Sequence, residues 1–457
     1  MSGRAIENPP FRRCFYHSTM AATCGICEDR AAILYLPQNR RAPAAIPPPK
    51  PTTEPMITAL LILAGTYLVM GLGRLPSSRL DRTGAALLGA SLMVATGTLS
   101  LDEAYRAIDF DTITLLLGMM IIVANLRLAG FFGLAASWIG RHAHRPIVLL
   151  IGVTAISALL SAFLVNDTVC LMLTPFVIEI ARTTRRNPVP YLLAVAMSSN
   201  VGSVATITGN PQNMVIGTAS QIPYGAFSAA LAPIAAVGAT VVVIAIVLTY
   251  RDEFRSKSTR GEIAELRVHW NGPLLAKSLA VIGGTIAAFF LGVAPAKAAI
   301  VAGSLLLVTR RIRPERVMRE IDWPLLLLFA GLFIVIAGAE RAVLTPDVRR
   351  AASNLALGQP AALAAVAAVL SNLVSNVPAV LVLKPFVGDL ADPRKAWLVL
   401  AMASTLAGNF TILGSIANLI VVERARAARV TVGFWSYFRI GAPVTVITIA
   451  LGLWLLH

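Results

Sequence analysis

Residues 198–213, SSNVGSVATITGNPQN, interrupt an apolar stretch that is otherwise long enough to cross a membrane. A continuous helix disfavours Gly209-Asn210-Pro211 in its middle, since glycine costs about 1 kcal/mol and proline about 3 kcal/mol relative to alanine. Residues 404–418, STLAGNFTILGSIAN, show the same mixture of polar side chains and helix breakers. Backbone that leaves the helix at membrane depth is tolerated only where it is buried in protein or lines a cavity. The two stretches therefore predict two broken spans that face a cavity.

The composition of the rest of the chain is typical of a polytopic membrane protein. Of the 457 residues, 56% are hydrophobic and 14% are charged, against about 25% charged in a soluble domain. Apolar runs at 56–73, 226–250 and 274–292 approach the roughly 20 residues that a membrane-spanning helix needs. A soluble protein with buried helices would not contain so many such runs in series.

Matching residues recur in the same order in two halves of the chain, which indicates an internal repeat. Ile108-Asp109-Phe110 precedes one apolar run as Ile321-Asp322-Trp323 precedes another, and Gly118 then matches Gly331. Further pairs, with a constant spacing inside each block, are Ser161 with Ser371, Asn166 with Asn376, Pro175 with Pro385, Ser199 with Ser404, Thr206 with Thr411, Gly209 with Gly414, Asn213 with Asn418 and Pro233 with Pro443.

We therefore predict an all-α membrane protein with two inverted repeats, 56–255 and 273–457, joined by a cytoplasmic linker at 256–272. Each repeat has five transmembrane helices and one re-entrant hairpin, and the odd number of crossings inverts the second half, a common plan in secondary transporters. The predicted spans are 57–73, 84–100, 113–126, 190–217 and 227–250, then 274–292, 295–309, 324–339, 396–421 and 438–456, with hairpins at 147–181 and 361–388. Residues 1–55, rich in Pro and Arg, are predicted to be a disordered tail, and Met56 is an alternative start.

The basic residues predict the orientation in the membrane. When the spans alternate, most Arg residues of the core fall in connections on one side, such as those around Arg79, Arg182 and Arg310. The positive-inside rule makes that side cytoplasmic, so the core begins outside and His457 also lies outside the plasma (inner) membrane. Basic loops facing anionic lipid account for the formal charge of +16, and we expect no binding to nucleic acid.

The two hairpin tips are the second candidate for a functional element. Asn166-Asp167-Thr168 interrupts one apolar stretch and Ser375-Asn376-Val377-Pro378 interrupts its counterpart, where Pro378 is expected to help turn the chain. An ionisable residue inside the bilayer, here Asp167, is a functional candidate by default. The alternative for Asp167 is a solvated loop at the membrane interface. The alternative for the broken spans is that their small residues are helix-packing contacts.

Two tips and two breaks related by inversion would converge near the membrane midplane, where helix N-termini bind an anion and free carbonyl groups bind Na⁺. The candidate ligands of a substrate or coupling ion are Asn166, Asp167, Thr168, Ser199, Asn200, Thr206, Gly209, Asn210, Asn213, Ser375, Asn376, Pro378, Ser404, Thr405, Thr411, Gly414 and Asn418.

With these residues in place, the chain from 56 to 457 resembles the ion transporter superfamily, and within it the citrate-transporter-like branch that includes arsenite permeases, sodium/proton antiporters and anion permeases. The resemblance rests on Asn166-Asp167-Thr168, on Gly209-Asn210-Pro211-Gln212-Asn213 and on Ser375-Asn376-Val377-Pro378. It implies a scaffold and a transport domain, a homodimer, and elevator-like alternating access. Sodium-coupled dicarboxylate members carry Ser-Asn-Thr at both tips, and this chain departs from that pattern at both.

These observations predict a secondary active transporter of a small inorganic or organic anion, or of an oxyacid such as arsenite, driven by a proton or Na⁺ gradient. A cation/proton antiporter that uses Asp167 is one alternative, and an ion channel or passive exchanger is another. No Walker A, G-x-S-x-G or H-E-x-x-H motif is present, so we expect no enzymatic activity, and beyond the coupling proton or Na⁺ we expect no cofactor.

Overall fold

The computed structural model describes residues 53–72, 80–142, 145–255, 269–308, 312–343, 356–388 and 390–457. Within these ranges the chain is all-helical and contains no β-strand, which confirms the predicted fold class. The predicted tail up to residue 52 and the predicted linker from 256 to 268 lie outside the described residues.

In the first half the helices are α1 (Thr53–Leu72), α2 (Arg82–Ala95), α3 (Leu101–Ala107), α4 (Phe110–Leu128), α5 (Phe131–His142), α6 (Pro146–Phe163), α7 (Asn166–Thr183), α8 (Pro188–Ser203), α9 (Pro211–Ser220), α10 (Tyr224–Thr249) and α11 (Arg251–Arg255). In the second half they are α12 (Gly272–Phe290), α13 (Pro295–Leu307), α14 (Pro314–Arg319), α15 (Trp323–Val343), α16 (Pro360–Val374), α17 (Asn376–Val387), α18 (Pro393–Leu406), α19 (Ile416–Ala427) and α20 (Phe434–Leu455).

The length and apolarity of the helices make this a multi-pass membrane protein. Among the described residues, α4, α6, α10, α12, α15 and α20 are each at least 18 residues long and apolar enough to cross a membrane. Large apolar side chains such as Leu61, Leu291 and Trp454 lie exposed on the outside. Soluble proteins rarely expose large apolar patches, whereas a lipid-facing surface consists of such side chains.

Four short helices, α3, α5, α11 and α14, do not correspond to any span predicted from the sequence. Each is too short to cross the bilayer and lacks the long apolar run by which a membrane span is predicted. Helix α3 is defined by a capping box: Ser100 Oγ accepts from the Glu103 amide at 3.3 Å, and the Glu103 carboxylate accepts from the Ser100 amide at 2.8 Å. Such reciprocal bonds satisfy amide groups at a helix start.

Two close helix crossings join the halves of the chain. Helix α4 packs on α13 and α15 packs on α2. A Cβ atom on Gly118 would lie 2.4 Å from the carbonyl carbon of Ala299, and one on Gly331 would lie 2.8 Å from that of Ala86. The spacing that matches Gly118 with Gly331 also matches Ala86 with Ala299, so exchanging the two halves converts one crossing into the other. The orientation of the halves relative to a membrane stays a prediction.

The predicted hairpins and broken spans are present. Helices α6 and α7 form the first hairpin and α16 and α17 form the second. Between α8 and α9 the chain contains the 3₁₀ turn Ile207–Gly209 flanked by extended backbone at Thr206 and Asn210. Between α18 and α19 lie the 3₁₀ turns Ala407–Asn409 and Ile412–Gly414.

Ser375 makes the turn at the second tip. Its φ of +84° is a conformation that residues other than glycine rarely adopt. Pro378, which the sequence assigned to the turn, instead lies in the first turn of α17, where a backbone amide has no helical partner to lose.

The two glycine crossings predict a matched pair of destabilised variants. Gly118→Ala and Gly331→Ala place a methyl group against backbone atoms that cannot rotate away, and overpacking of this kind costs about 1–3 kcal/mol. We expect each to lower the melting temperature of the detergent-purified protein. Gly284→Ala, whose Cβ would meet no heavy atom within 4 Å, is the control and should not lower it. Equal melting temperatures for all three variants would contradict the packing described.

Candidate functional site

Both hairpin tips and both breaks meet at one cavity of about 40 Å³, the first cavity. Its wall from the tips and breaks consists of Asn166, Asp167, Pro211, Gln212, Ser375, Asn376, Val377, Pro378, Ser415 and Ile416. Helices α1, α2 and α15 complete the wall with Met70, Arg82, Leu325, Leu328 and Phe329. The structure thus brings together the four elements that the sequence predicts to converge.

Four helices begin at this cavity. Their first residues, Asn166 of α7, Pro211 of α9, Asn376 of α17 and Ile416 of α19, all lie in its wall. A helix N-terminus carries roughly half a positive charge together with amide groups that lack helical partners. Four of them around one small cavity favour an anion or a polar oxygen-rich solute there.

Asn200, in the last turns of α8, is the centre of the polar network behind the first cavity. Its amide nitrogen donates to Asn409 Oδ1 at 2.9 Å and to Asn418 Oδ1 at 3.1 Å. Its amide oxygen accepts from Ser415 Oγ at 3.0 Å and from Asn166 Nδ2 at 3.1 Å. This buried side chain therefore connects the first hairpin tip with the second break.

Thr405 occupies the position that matches Asn200 in the repeat, and one of its contacts mirrors a contact of Asn200. Its hydroxyl oxygen accepts from Asn210 Nδ2 at 3.2 Å and from Gln212 Nε2 at 3.1 Å. Asn210 matches Ser415, which bonds Asn200. Exchanging the two halves therefore converts the Thr405–Asn210 contact into the Asn200–Ser415 contact.

Asn213 and Asn418 bind the unwound backbone of the two breaks. Asn213 Nδ2 donates to the carbonyl groups of Ser203 at 3.1 Å and Thr206 at 3.0 Å. Asn418 Nδ2 donates to the matched carbonyl groups of Gly408 at 2.7 Å and Thr411 at 3.1 Å. An unpaired buried carbonyl costs about 1–3 kcal/mol, so these two amides stabilise the breaks.

The other predicted residues lie in three places. Asn166, Asp167, Ser375, Asn376 and Pro378 line the first cavity, whereas Thr168 lines a neighbouring one. The remainder contact protein groups behind the first cavity: Ser199 Oγ lies 2.9 Å from the Cys170 thiol, Ser404 bonds the Ala401 carbonyl, Thr206 bonds the Ala162 carbonyl, Gly209 lies against Ser203 and Gly414 lies against Asn372.

Two buried amide oxygens at the first cavity have no hydrogen-bond partner among the described residues. They are Oδ1 of Asn166 and Oδ1 of Asn376, on side chains that are 4% and 7% exposed. The two residues are matched positions of the repeat, one at each tip. Because buried acceptors are nearly always paired, both oxygens are available to a donor hydroxyl or a cation in the cavity.

Asp167 and Arg82 are the charged residues in the wall of the first cavity. Neither forms an ion pair in the part of the chain that the structure describes. Asp167 belongs to the first turn of α7, where the helix N-terminus favours a negative charge. The cavity therefore combines one carboxylate and one guanidinium with amide and hydroxyl groups.

Sequence reasoning missed Arg82, Gln212 and Asn409. The positive-inside count placed Arg82 in a cytoplasmic connection, whereas it begins α2 and lines the cavity. Gln212 belongs to the Gly-Asn-Pro-Gln-Asn motif, and its position directly after Pro211 is the sequence feature that could have identified it as a site residue. Asn409 belongs to the Gly408-Asn409 break, and its amide also donates to the Met197 carbonyl at 3.0 Å.

The sequence profile of the family described as "Citrate transporter" matches residues 59–407, most of the chain and the whole of the first break. The chain belongs to the citrate transporter family. It is 30% identical to an uncharacterised transporter of Mycobacterium tuberculosis over 429 residues, which cover 87% of this chain and 98% of that relative.

Two further relatives and one solved structure are also similar to this chain. This citrate transporter family member is 29% identical to the silicon efflux transporter LSI3 of Oryza sativa subsp. japonica, over 83% of this chain and 93% of the relative. It is 24% identical to the putative transporter arsB of Dictyostelium discoideum, over 87% and 92%. The crystal structure of the YdaH transporter of Alcanivorax borkumensis shares the fold, with a TM-score of 0.55 at 15% identity over 89% of this chain and 98% of that one.

The hydrogen bonds of Asn200 predict that its side chain holds the site together. Asn200→Ala leaves the amide oxygens of Asn409 and Asn418 without the donor they have in the structure, and each unpaired buried group costs about 1–3 kcal/mol. We expect a melting temperature several degrees lower in detergent. Thr240→Ala, which removes an exposed hydroxyl that bonds the carbonyl of Ala236 in its own helix, should leave it unchanged. A stable Asn200→Ala protein would show that the network is dispensable.

Proposed function

We propose that this protein is a secondary active transporter of a small oxyacid or anion, driven by a proton or Na⁺ gradient through alternating access of the first cavity. The observation that carries the proposal is the convergence of four helix N-termini and two unpaired amide oxygens on one cavity that also contains Asp167. Broken helices whose ends face a central binding site are a recurrent plan in secondary transporters.

The size and chemistry of the cavity support a small substrate. Its volume of about 40 Å³ is a few times the roughly 10–15 Å³ that a cavity needs in order to hold one water molecule. A few amide, hydroxyl and backbone N–H groups are suited to a compact solute with several oxygen atoms. The name of the rice relative, a silicon efflux transporter, is consistent with this substrate class.

The residues that line the first cavity have different proposed roles in binding. The free oxygens of Asn166 and Asn376 accept from substrate hydroxyl groups or contribute to a Na⁺ site. The N-termini of α9 and α19 hold the negative end of the substrate. Arg82, which reaches the cavity from the helices outside the hairpins, adds a charge-assisted hydrogen bond in the conformation that the structure shows.

Asp167 supplies the coupling. An ionised carboxylate and an anion in one small cavity of low dielectric repel each other strongly. A proton or Na⁺ bound at Asp167 removes that repulsion, so the cation and the substrate bind together more readily than either binds alone. Thermodynamic linkage then makes the affinity for the cation depend on the substrate by the same factor.

Replacement of Asp167 tests this role in proteoliposomes. With silicic acid, arsenite, phosphate and citrate as candidate substrates, an imposed proton or Na⁺ gradient should drive accumulation of at least one. Asp167→Asn should lower the gradient-driven part by about 5–150-fold, the usual range of coupling between two sites. Asp111→Asn, which neutralises an exposed carboxylate outside the cavity wall, is the matched control and should retain uptake.

Other results of these flux measurements would indicate one of the alternative functions. Exchange of Na⁺ for protons without any accompanying solute would indicate a cation/proton antiporter that uses Asp167. Flux that does not saturate with substrate concentration would indicate a channel or passive exchanger. Unchanged gradient-driven uptake in Asp167→Asn would remove Asp167 from the coupling mechanism.

A further inference from the structure

A second cavity, of about 130 Å³, shares Asp167 and Leu325 with the first. The rest of its wall consists of Met120, Val123, Ala124, Arg127, Val165, Thr168, Leu171, Glu320, Asp322 and Ile420. The second cavity is thus about three times as large as the first, and one carboxylate contributes to both walls. A solute in the second cavity can reach Asp167 without occupying the first.

Apart from Asp167, the charged residues of the second cavity come from the segments around the end of α4 and the start of α15. Arg127, in the last turn of α4, forms an ion pair with Glu320, which directly follows α14. Asp322 accepts from the Leu325 amide at 3.1 Å at the start of α15. The side chains of Arg127 and Glu320 remain 37% and 23% exposed, so their ion pair lies at the mouth of the cavity.

The mouth lies on the side that the basic residues predict to be cytoplasmic. The C-terminal end of α4 and the N-terminal end of α15 both face that side in the predicted topology. Arg82 and Met70, which line the first cavity, also belong to helix ends that face it. The conformation described here therefore places the site near the predicted cytoplasmic ends of α1, α2, α4 and α15.

We infer that the second cavity is the route by which a small cation reaches Asp167 from the predicted cytoplasmic side, and that the Arg127–Glu320 ion pair closes this route. Asp322 and Asp167 make the interior attractive to a cation. Arg127 repels a cation at the mouth while it neutralises Glu320. Separation of the pair removes this barrier and leaves Glu320 as a third carboxylate on the path.

The chemistry of the lining favours a cation over the transported substrate as the occupant. Three of the four charged side chains in the wall are carboxylates, and the one guanidinium is paired. The N-termini of α9, α17 and α19 and the two unpaired amide oxygens line the first cavity and not the second, whereas the N-terminus of α7 contributes to both walls. The statement that the cation drives transport rests on the proposed function, whereas the accessibility of Asp167 through this cavity does not.

Thiol labelling tests the route without any transport assay. In full-length protein with Cys14, Cys24, Cys27 and Cys170 replaced by alanine, Leu171→Cys places one thiol in the wall of the second cavity. Its reaction rate is measured in proteoliposomes with a positively charged methanethiosulfonate and with a negatively charged one of similar size. We expect the positive reagent to react faster, and Arg127→Gln, which removes the guanidinium and leaves the Glu320 carboxylate, to raise its rate by about tenfold or more.

Two controls distinguish separation of the Arg127–Glu320 ion pair from a general loss of packing around the second cavity. Glu103→Gln breaks an ion pair of the same type, Glu103 with Arg341, which lies outside both cavity walls, and should leave the rate at position 171 unchanged. The double exchange Arg127→Glu with Glu320→Arg restores an ion pair and should return the rate to the parent value.

Equal labelling in the parent and in Arg127→Gln would overturn the inference, as would an equal increase in Glu103→Gln or faster reaction with the negative reagent. These results are independent of the proposed function. Gradient-driven uptake can be absent while labelling behaves as expected, and uptake can be present while labelling refutes the route.

Discussion

Backbone that unwinds inside a membrane has no water to bind, and each carbonyl group freed from a helix needs a partner within the protein. Asn213 and Asn418 are these partners, because each donates to two carbonyl groups of its own break. The rest of the site depends on them. Only when the carbonyl groups of these breaks are hydrogen-bonded can α9 and α19 begin at the first cavity and direct their N-terminal amides into it.

The contacts that assemble the site connect one half of the chain with the other. Asn200 bonds Ser415 while Thr405 bonds Asn210, and Gly118 packs on Ala299 while Gly331 packs on Ala86. Neither half can complete the cavity alone, because each break uses side chains of its counterpart. This dependence explains why the polar network is fully buried between the two broken spans and lies behind the hairpin tips, which line the cavity itself.

Helix breakers, polar interruptions and the ordered series of matched residues were sufficient to predict the all-helical fold, both hairpins and both breaks. They predicted which segments converge, because a polar segment at membrane depth can only face another such segment or a cavity. They did not distinguish Asn376, whose oxygen faces the cavity unpaired, from Asn418, which holds backbone. Both are asparagines at a break or tip, and only the three-dimensional arrangement decides which atoms remain free. Arg82 was missed for a related reason, since a positive residue at a helix end has the same sequence signature in a loop and in a site.

The repeat carries Asp167 at the first tip and Val377 at the matched position of the second. Two identical halves would make the inward-open and outward-open forms of a transporter isoenergetic, because exchange of the halves would interconvert them. One carboxylate without a counterpart removes that degeneracy. In the proposed transport cycle, the occupancy of this one carboxylate then shifts the balance between the two forms, because an equilibrium between conformers responds to any ligand that distinguishes them.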